Sequence, residues 1–459
     1  MTQPYRTVFV GTLVQESFLS IGGTDNPTAG VDSPLALDGL NRPTLRGSSL
    51  AGAMIATLRR LRRSESPQRS ESPSIPVTIS GGTNGRYPSV WRFFNSHPHA
   101  FSQTVVRQHV AIDARTGAAA TGMLFDVETL PPATRWPFML EVETDRDTLA
   151  ADLAREVLRH WAAGRCLLGR EVARGMGWLR LDDCQEYRLT TEHAQDWPCA
   201  QQAERYPHYI KEKFSKLATS VEPASDPMPG WCEISGTLTA GEYKPSWCQD
   251  IEPDACYGWD SLSIGGHASD ELFAAWSDDF IAPDGMADPG QHFDPDCTVV
   301  TFRECGEDWQ VNEQRPYIPG SSLRGPLRHA LTRFLGAQGE SSNLPQALFG
   351  TTEQGAKLLI RDAFPEPNAD LRLAWFQHHA EDEFAGGAYD SAKFDRVAVM
   401  KGCFVWKMIL EDASETEREA LRDLLTKLAQ NNHIGIGGGQ WRGHGWLQWQ
   451  VNDFKENMS

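Results

Sequence analysis

The sequence predicts an α+β protein made of two tandem ferredoxin-like units, each following the plan βαββαβ with a hairpin inserted in its middle. Three observations predict it. The block Leu45-Arg46-Gly47-Ser48-Ser49-Leu50-Ala51-Gly52 returns as Ile318-Pro319-Gly320-Ser321-Ser322-Leu323-Arg324-Gly325. Three further blocks recur in the same order: Ser20 to Gly23 with Ser263 to Gly266, Gln108 to Asp113 with Gln377 to Asp382, and Arg174 to Leu179 with Arg442 to Leu447. Within each half the apolar spacing switches between strand and helix periods in the order that plan requires. The first unit is placed at 1–183, a connecting segment at 184–230 and the second unit at 231–459, with an acidic insertion around 267–312.

The elements follow in chain order. Arg6 to Gln15 reads as a strand, and Ser20 to Pro43, rich in Gly, Asp, Asn and Pro, as a long irregular loop of the kind that often carries function. Leu50, Met54, Leu58 and Leu61 then mark a helix, as do Leu323, Leu327, Leu331 and Leu335 in the second half. Serine before each apolar run is the expected N-cap. The preceding Gly47 or Gly320 lets the backbone come close to a ligand, and a helix start suits a phosphate; a capped helix and nothing more is the plainer reading. Ser64 to Pro76 reads as a mobile surface loop. Asp113 to Met123 is small-residue chain between strand-like flanks, hence a protruding hairpin. Trp136 to Val142 is a strand, 147–161 an amphipathic helix, Gly169 to Gly177 a loop and Trp178 to Leu181 the closing strand. The second half repeats this from Trp231, with a helix at 414–429, a loop from Gly435 to Gly445 and a final strand at Trp446 to Trp449.

Composition narrows the class. An apolar content of 40% lets each half bury an ordinary core. The first residues lack signal-peptide character and no apolar run approaches the ~18–20 residues of a membrane span, so the expectation is a soluble, cytoplasmic protein with no membrane partner. Nine scattered cysteines without a C-x-x-C pair argue against a disulfide framework or a standard zinc site. A net charge of −18 opposes a simple nucleic-acid reading. The acid is concentrated at 182–308 and 366–383, however. Arg42, Arg46, Arg59, Arg60, Arg62 and Arg63 flank the first Gly-Ser-Ser, and Arg315, Arg324, Arg328 and Arg333 the second, a choice of cation that suits phosphate.

The paired Gly-Ser-Ser helices and the terminal Arg-Gly-x-Gly loops (Arg174-Gly175-Met176-Gly177 and Arg442-Gly443-His444-Gly445) resemble the RAMP superfamily of CRISPR systems. Gly30-Val31-Asp32-Ser33-Pro34-Leu35 before the first helix is similar to the catalytic loop of backbone subunits of type III effector complexes. His109 through Glu128 is similar to their thumb hairpin. A tandem of two such units resembles the fused backbone subunits of the type III-D branch.

The resemblance implies RRM-like domains, a palm that holds guide CRISPR RNA, and thumbs that press on the guide–target duplex at intervals of about six nucleotides, RNA being read by shape and backbone. It implies as partners the target RNA and other type III subunits: the large signalling subunit, other backbone subunits and small subunits. It further implies cleavage of target RNA, with a Mg²⁺ or other divalent cofactor, by attack of a 2′-hydroxyl on the adjacent phosphate. Asp32 best matches the carboxylate position, as catalytic residue and metal ligand, with Asp25 as second choice; a turn-forming Asp-Ser-Pro is the plain alternative. The second unit lacks this motif. Asp294 and Asp296 lie nearest its helix, and whether that unit cuts stays open.

Candidate RNA contacts are Gly22, Gly23, Arg46, Gly47, Ser48, Ser49, His109, Arg115, Met123, Arg174 and Gly175 in the first unit. In the second they are Gly265, Gly266, Gly320, Ser321, Ser322, Arg324, Arg328, His378, Arg442 and Gly443. Met123 and Leu124 would be apolar wedges, as could Tyr389 and Phe394; Phe125 and Phe394 also fit ordinary burial. His109 and His378 fit packing or RNA contact better than general acid–base work. A scaffold without chemistry, a guide-processing ribonuclease and a generic single-strand binder are the competing functions. The two Gly-Ser-Ser helices and two hairpins argue against the processing enzyme.

Overall fold

The structure, a computed structural model, describes residues 4–22, 31–63, 75–81, 88–99, 104–112, 119–196, 206–241, 280–281, 301–305, 311–337, 343–367, 369, 371–381, 384, 387, 389, 392–431 and 434–455. The expected surface loop at 64–74, the hairpin tip at 113–118 and most of the acidic insertion lie outside the described residues, as do Gly23, Asp25, Arg115, Gly265, Gly266, Asp294 and Asp296.

Each half is an α+β unit with an antiparallel sheet backed by helices. In the first, the strands are β1 (Arg6–Gln15), β2 (Trp91–Phe93), the hairpin β3 (Val105–Ile112) and β4 (Ala119–Thr129), β5 (Arg135–Val142) and β6 (Trp178–Leu189). The sheet order is β2-β5-β1-β6, with short strands at its edge, while the hairpin stands apart as a two-stranded ribbon. Helices α1 (Gly47–Arg62) and α2 (Ala150–Ala162) cover one face. In the second half β7 (Trp231–Ala240), β8 (Leu358–Ile360), β10 (Phe394–Glu411) and β11 (Gln448–Lys455) give the order β8-β10-β7-β11, with β9 (Arg372–His378) paired to the hairpin end of β10, and the sheet is covered by α4 (Gly320–Ala337) and α5 (Glu415–Asn431). Both orders are the 4-1-3-2 arrangement of a ferredoxin-like, RRM-like sheet.

The helix spacing did what the apolar periodicity requires. Leu50, Met54, Leu58 and Leu61 are all buried under the first sheet, and Leu323, Leu327, Leu331 and Leu335 under the second. The cap differs from expectation. Both helices begin at the glycine, and the residue before Gly47 is Arg46, which makes no side-chain cap. Ser48 and Ser49 therefore lie inside the first turn, and the first amide is capped from elsewhere, as described below.

Two other elements differ from the sequence reading. Strand β6 continues to Leu189, past residue 183, because Tyr187 and Leu189 pack beneath a helix within the expected connecting segment. That helix, α3 (Tyr206–Lys213), lays Tyr206 and Ile210 on Val8, Val10 and Met139, covering the apolar back of the first sheet. The hairpins also differ. In the first unit Pro131, Pro132 and a left-handed Ala133 separate β4 from β5, whereas β10 runs unbroken from the hairpin into the sheet.

Candidate nucleic-acid interface

The two Gly-Ser-Ser helix starts are built to one plan. A backbone bridge joins Leu45 to Ser96 ahead of α1, and Ile318 to Ala363 ahead of α4. The residue before each bridge partner supplies the cap: Gly47 N–H donates to Asn95 Oδ1 at 2.9 Å, and Gly320 N–H donates to Asp362 Oδ1 at 2.7 Å. Glycine is required at both places. A Cβ on Gly47 would lie 2.9 Å from the Phe93 carbonyl oxygen, and one on Gly320 2.3 Å from that of Ile360.

The surroundings then diverge. Asn95, Arg46 and Ser48 are exposed and line an open groove of about 810 Å³, together with Ala51, Arg92 and Arg146. Asp362 is fully buried. Arg107, from the first unit's hairpin, donates to both its carboxylate oxygens, at 2.7 and 3.3 Å. The Arg107 guanidinium lies 4.9 Å from the Phe18 ring centre and 5.5 Å from that of Tyr317. The first unit's Gly-rich loop closes the remaining space, since a Cβ on Gly175 would meet Asp362 Oδ1 at 2.0 Å. Arg324, expected on RNA, instead donates to the carbonyls of Ala173 at 3.0 Å and Leu358 at 3.3 Å, and to that of Phe349. Burial, then Arg174 and Arg328, push its pKa down to about 10. The expectation of a phosphate at the second helix start is thus corrected: a carboxylate already accepts its first amide, and the halves are joined there.

The hairpin bases carry a matched stack. His109 pairs with Phe125 across the first ladder and His378 with Phe394 across the second. The rings lie 5.0 Å apart at 13° and 4.9 Å apart at 23°. Arg174 sits 5.8 Å from the Phe125 ring centre and Arg442 4.8 Å from that of Phe394. Each unit therefore gathers a guanidinium and an imidazole around one benzene ring. His109 is only 6% exposed, and burial, then Arg107 and Arg174, push its pKa down to about 4; His378 shifts the same way. Both imidazoles are neutral at pH 7, which favours packing and stacking over proton transfer. Each also has a buried Nε2 without a partner among the described residues.

On the other face of the first hairpin Val106, Val110 and Leu124 are exposed, with Val110 opposite Leu124, and the adjacent Met123 is exposed as well. Of these, Met123 and Leu124 are the two expected as wedges. In the second, Phe384 and Tyr389 are exposed and Phe394 is half-buried.

Asp32 lies in a loop laid along β4. Ser33 bridges Val127 in parallel, Leu35 N–H donates to Glu128 Oε2 at 2.9 Å, and Asp126 N–H donates to Asp32 Oδ2 at 2.9 Å. Asp32 is exposed, and neighbouring Asp126 keeps a buried carboxylate oxygen without a partner among the described residues. Two carboxylates at one strand edge are the hard oxygen donors a magnesium-like ion takes. Among the described residues no three His, Cys, Asp or Glu side chains gather as a fuller metal cluster. Gly22 packs against Arg170, whose guanidinium a Cβ would meet at 2.5 Å. Ser321, Ser322 and Arg328 are half-buried on α4, and Gly443 and exposed Arg442 flank the left-handed turn of the second Gly-rich loop.

Asn95, Arg107 and Asp362 escaped the sequence reading. Asn95 and Asp362 lie between the aligned blocks, 48 and 42 residues beyond the glycines they cap. The available signal was a short polar side chain closing each apolar run, Phe93-Phe94-Asn95 and Leu359-Ile360-Arg361-Asp362.

A sequence model of the family described as RAMPs, RAMP superfamily, matches residues 16–180 and 302–448, one region in each half. No curated protein matches the chain. No helix among the described residues is long and apolar enough to cross a membrane.

Proposed function

The chain belongs to the RAMP superfamily, a membership that carries a CRISPR-associated RNA-binding role, and on that premise we propose that it is a backbone subunit of a type III effector complex. In this reading the chain holds guide RNA along both units and cleaves complementary target RNA at the first. The observation that carries it is the doubled cluster of arginine, phenylalanine and histidine at the hairpin bases, with exposed apolar residues on the first hairpin. Aromatic and guanidinium planes stack unpaired bases, and exposed Val110, Met123 and Leu124 give a target duplex an apolar wedge. Arg46 and Arg442, both exposed, meet the phosphates. Partner subunits and a cytoplasmic location belong to the same proposal.

Asp32 is the residue for the chemistry. It is exposed at the hairpin's edge, where a displaced target nucleotide can bring its 2′-hydroxyl into line with the next phosphate. The carboxylate accepts the hydroxyl proton as the oxygen attacks phosphorus and the 5′-oxygen leaves. Asp32 and Asp126 would hold a divalent cation, which supplies charge neutralisation at the phosphate when bound. The amide contact from Asp126 also favours a second reading, in which Asp32 only pins its loop to β4 and the chain is a scaffold.

Cleavage of end-labelled target RNA by the guide-loaded protein with Mg²⁺ separates the two. Asp32→Asn keeps an acceptor for the Asp126 amide and removes the carboxylate. Loss of a cut with target binding intact supports catalysis; an unchanged cutting pattern in Asp32→Asn leaves the scaffold reading.

A further inference from the structure

The joint between the two units contains one ion pair unlike its others. Arg60 with Glu411, Arg63 with Asp412, Arg165 with Glu233 and Arg361 with Glu16 cross the joint, and all keep some solvent exposure. Arg107 with Asp362 also crosses it, and both side chains are buried. The exposed pairs already hold the halves together, helped by Leu359, Ile409 and Trp231, which pack into the first unit's core. A buried pair adds little net stability beyond that, because desolvation offsets its attraction. A guanidinium held at two points on a carboxylate does, however, fix a direction.

What Arg107 fixes can be followed through the hairpin. Arg107 on β3 stands directly opposite Val127 on β4. Val127 is buried in a small cluster with Phe18, Met176 and Tyr317, so the second unit reaches this rung twice, through Asp362 and through Tyr317. The loop that carries Asp32 is bonded to the same rung. Ser33 bridges Val127, its N–H donating to the Asp126 carbonyl and its carbonyl accepting from the Glu128 N–H, each at 3.0 Å. Asp32 accepts the Asp126 N–H at 2.9 Å. Asp362, Arg107, Val127, Ser33 and Asp32 thus form one path, from the second unit's helix cap to the first unit's carboxylate. At the same rung of the second hairpin Phe376 stands opposite Arg396, so the arginine has changed strands. The tie to Asp362 serves the unit that has the Asp-Ser-Pro motif.

We propose that Asp362 is a positioning residue for the first unit's reaction: by holding Arg107 it sets the strand on which the Asp32 carboxylate is mounted. It acts through Arg107 and not on the RNA. This rests on the reading of Asp32 as the reacting carboxylate. A misplacement of about 1 Å at a reacting group costs about a hundredfold in rate, and β3 released from Asp362 is free to shift. The first unit then cuts at full rate only while the second is packed against it.

The test uses the full chain loaded with guide RNA and three readouts: single-turnover cleavage of labelled target with Mg²⁺, target affinity, and hydrogen–deuterium exchange in peptides covering 31–37 and 124–129. Asp362→Asn with Arg107→Met keeps an acceptor for Gly320 and strands no charge, so the fold survives. It should slow the first unit's cut by roughly tenfold or more, with affinity unchanged and faster exchange in both peptides. Arg107→Lys keeps the charge without the fork and should fall between the two. Glu233→Gln, which opens the Arg165 pair elsewhere in the joint, should change neither rate nor exchange. A double variant that cuts at the unaltered rate, or whose exchange in those peptides is unchanged, overturns the proposal. Equal slowing by Glu233→Gln also overturns it, since any loosening of the joint would then do the same. If the unaltered chain cuts no target, the cleavage reading fails, and faster exchange beside Asp32 in the double variant still supports the anchoring.

Discussion

Gly47 and Gly320 open equivalent helices, yet the polar cap beside the first faces solvent as Asn95 while the cap beside the second is buried as Asp362. The difference lies in the neighbour, since the helices and their bridges match. Where the first unit's loop and Arg107 press in, the cap carries a charge because a cation arrives with them. Where nothing among the described residues covers it, an amide suffices. Identical local sequence therefore specifies a helix start but not its role: one is a joint within the chain, and the other remains an accessible surface.

The largest test of this contrast is to give the second helix the first one's cap. Asp362→Asn keeps an acceptor for Gly320 but leaves Arg107 buried beside a neutral amide. Chemical denaturation should show a loss of about 3–5 kcal/mol, the cost of breaking a buried pair. Combining it with Arg107→Met should recover most of that loss. The counterpart Asn95→Ala, at an exposed cap, should cost about 1 kcal/mol. Equal losses at the two sites would erase the distinction drawn here.

Next in size is Gly320→Ala, whose methyl meets the Ile360 carbonyl oxygen at 2.3 Å and Gly175 Cα at 2.8 Å across the joint. A destabilisation of about 1–3 kcal/mol is expected from the forced shift. Gly47→Ala meets the Phe93 carbonyl oxygen first, at 2.9 Å, and should cost less by the same assay.

A third measurement probes the buried imidazoles, one in each unit. His109 and His444 have folded pKa values near 4, below the ordinary 6.5, burial being the main cause in both. Above pH 6.5 both are neutral whether folded or unfolded. As pH falls from 6.5 toward 4 the unfolded chain binds protons that the fold refuses, so stability drops across that window and the loss is complete below it. Thermal unfolding against pH should show this slope, and His109→Phe should flatten it. A profile unchanged by that substitution would mean that His109 is not held neutral by its burial. The smallest effect belongs to Leu124→Ser, which should leave stability within about 0.5 kcal/mol because the side chain is exposed.

The architecture was legible because its signals are local and repeated. Leucines at helical spacing and blocks in constant order report periodicity, which a chain displays whatever its neighbours do. The hairpin register was legible for the same reason: aligning His109 with His378 also aligned Phe125 with Phe394, and each pair meets across its ladder. Arg107 and Asp362 were hidden because they are 255 residues apart, and neither has a counterpart of like chemistry in the other unit. The serine caps were misread since Gly-Ser-Ser is a strong local cap signal, and a distant side chain outcompeted it. Helix α3 was missed because its short apolar stripe follows a polar stretch and gains its purpose only from the sheet beneath.

Crosslinking tests the account most directly. A guide-length RNA carrying photoreactive uridines, bound to the full chain and irradiated, should label peptides from both hairpin bases, around Phe125 and around Phe394. Arg174→Glu should reduce the first and Arg442→Glu the second. Labelling confined to one unit, or to the back of the first sheet beneath α3, would contradict an RNA path that runs over two equivalent units.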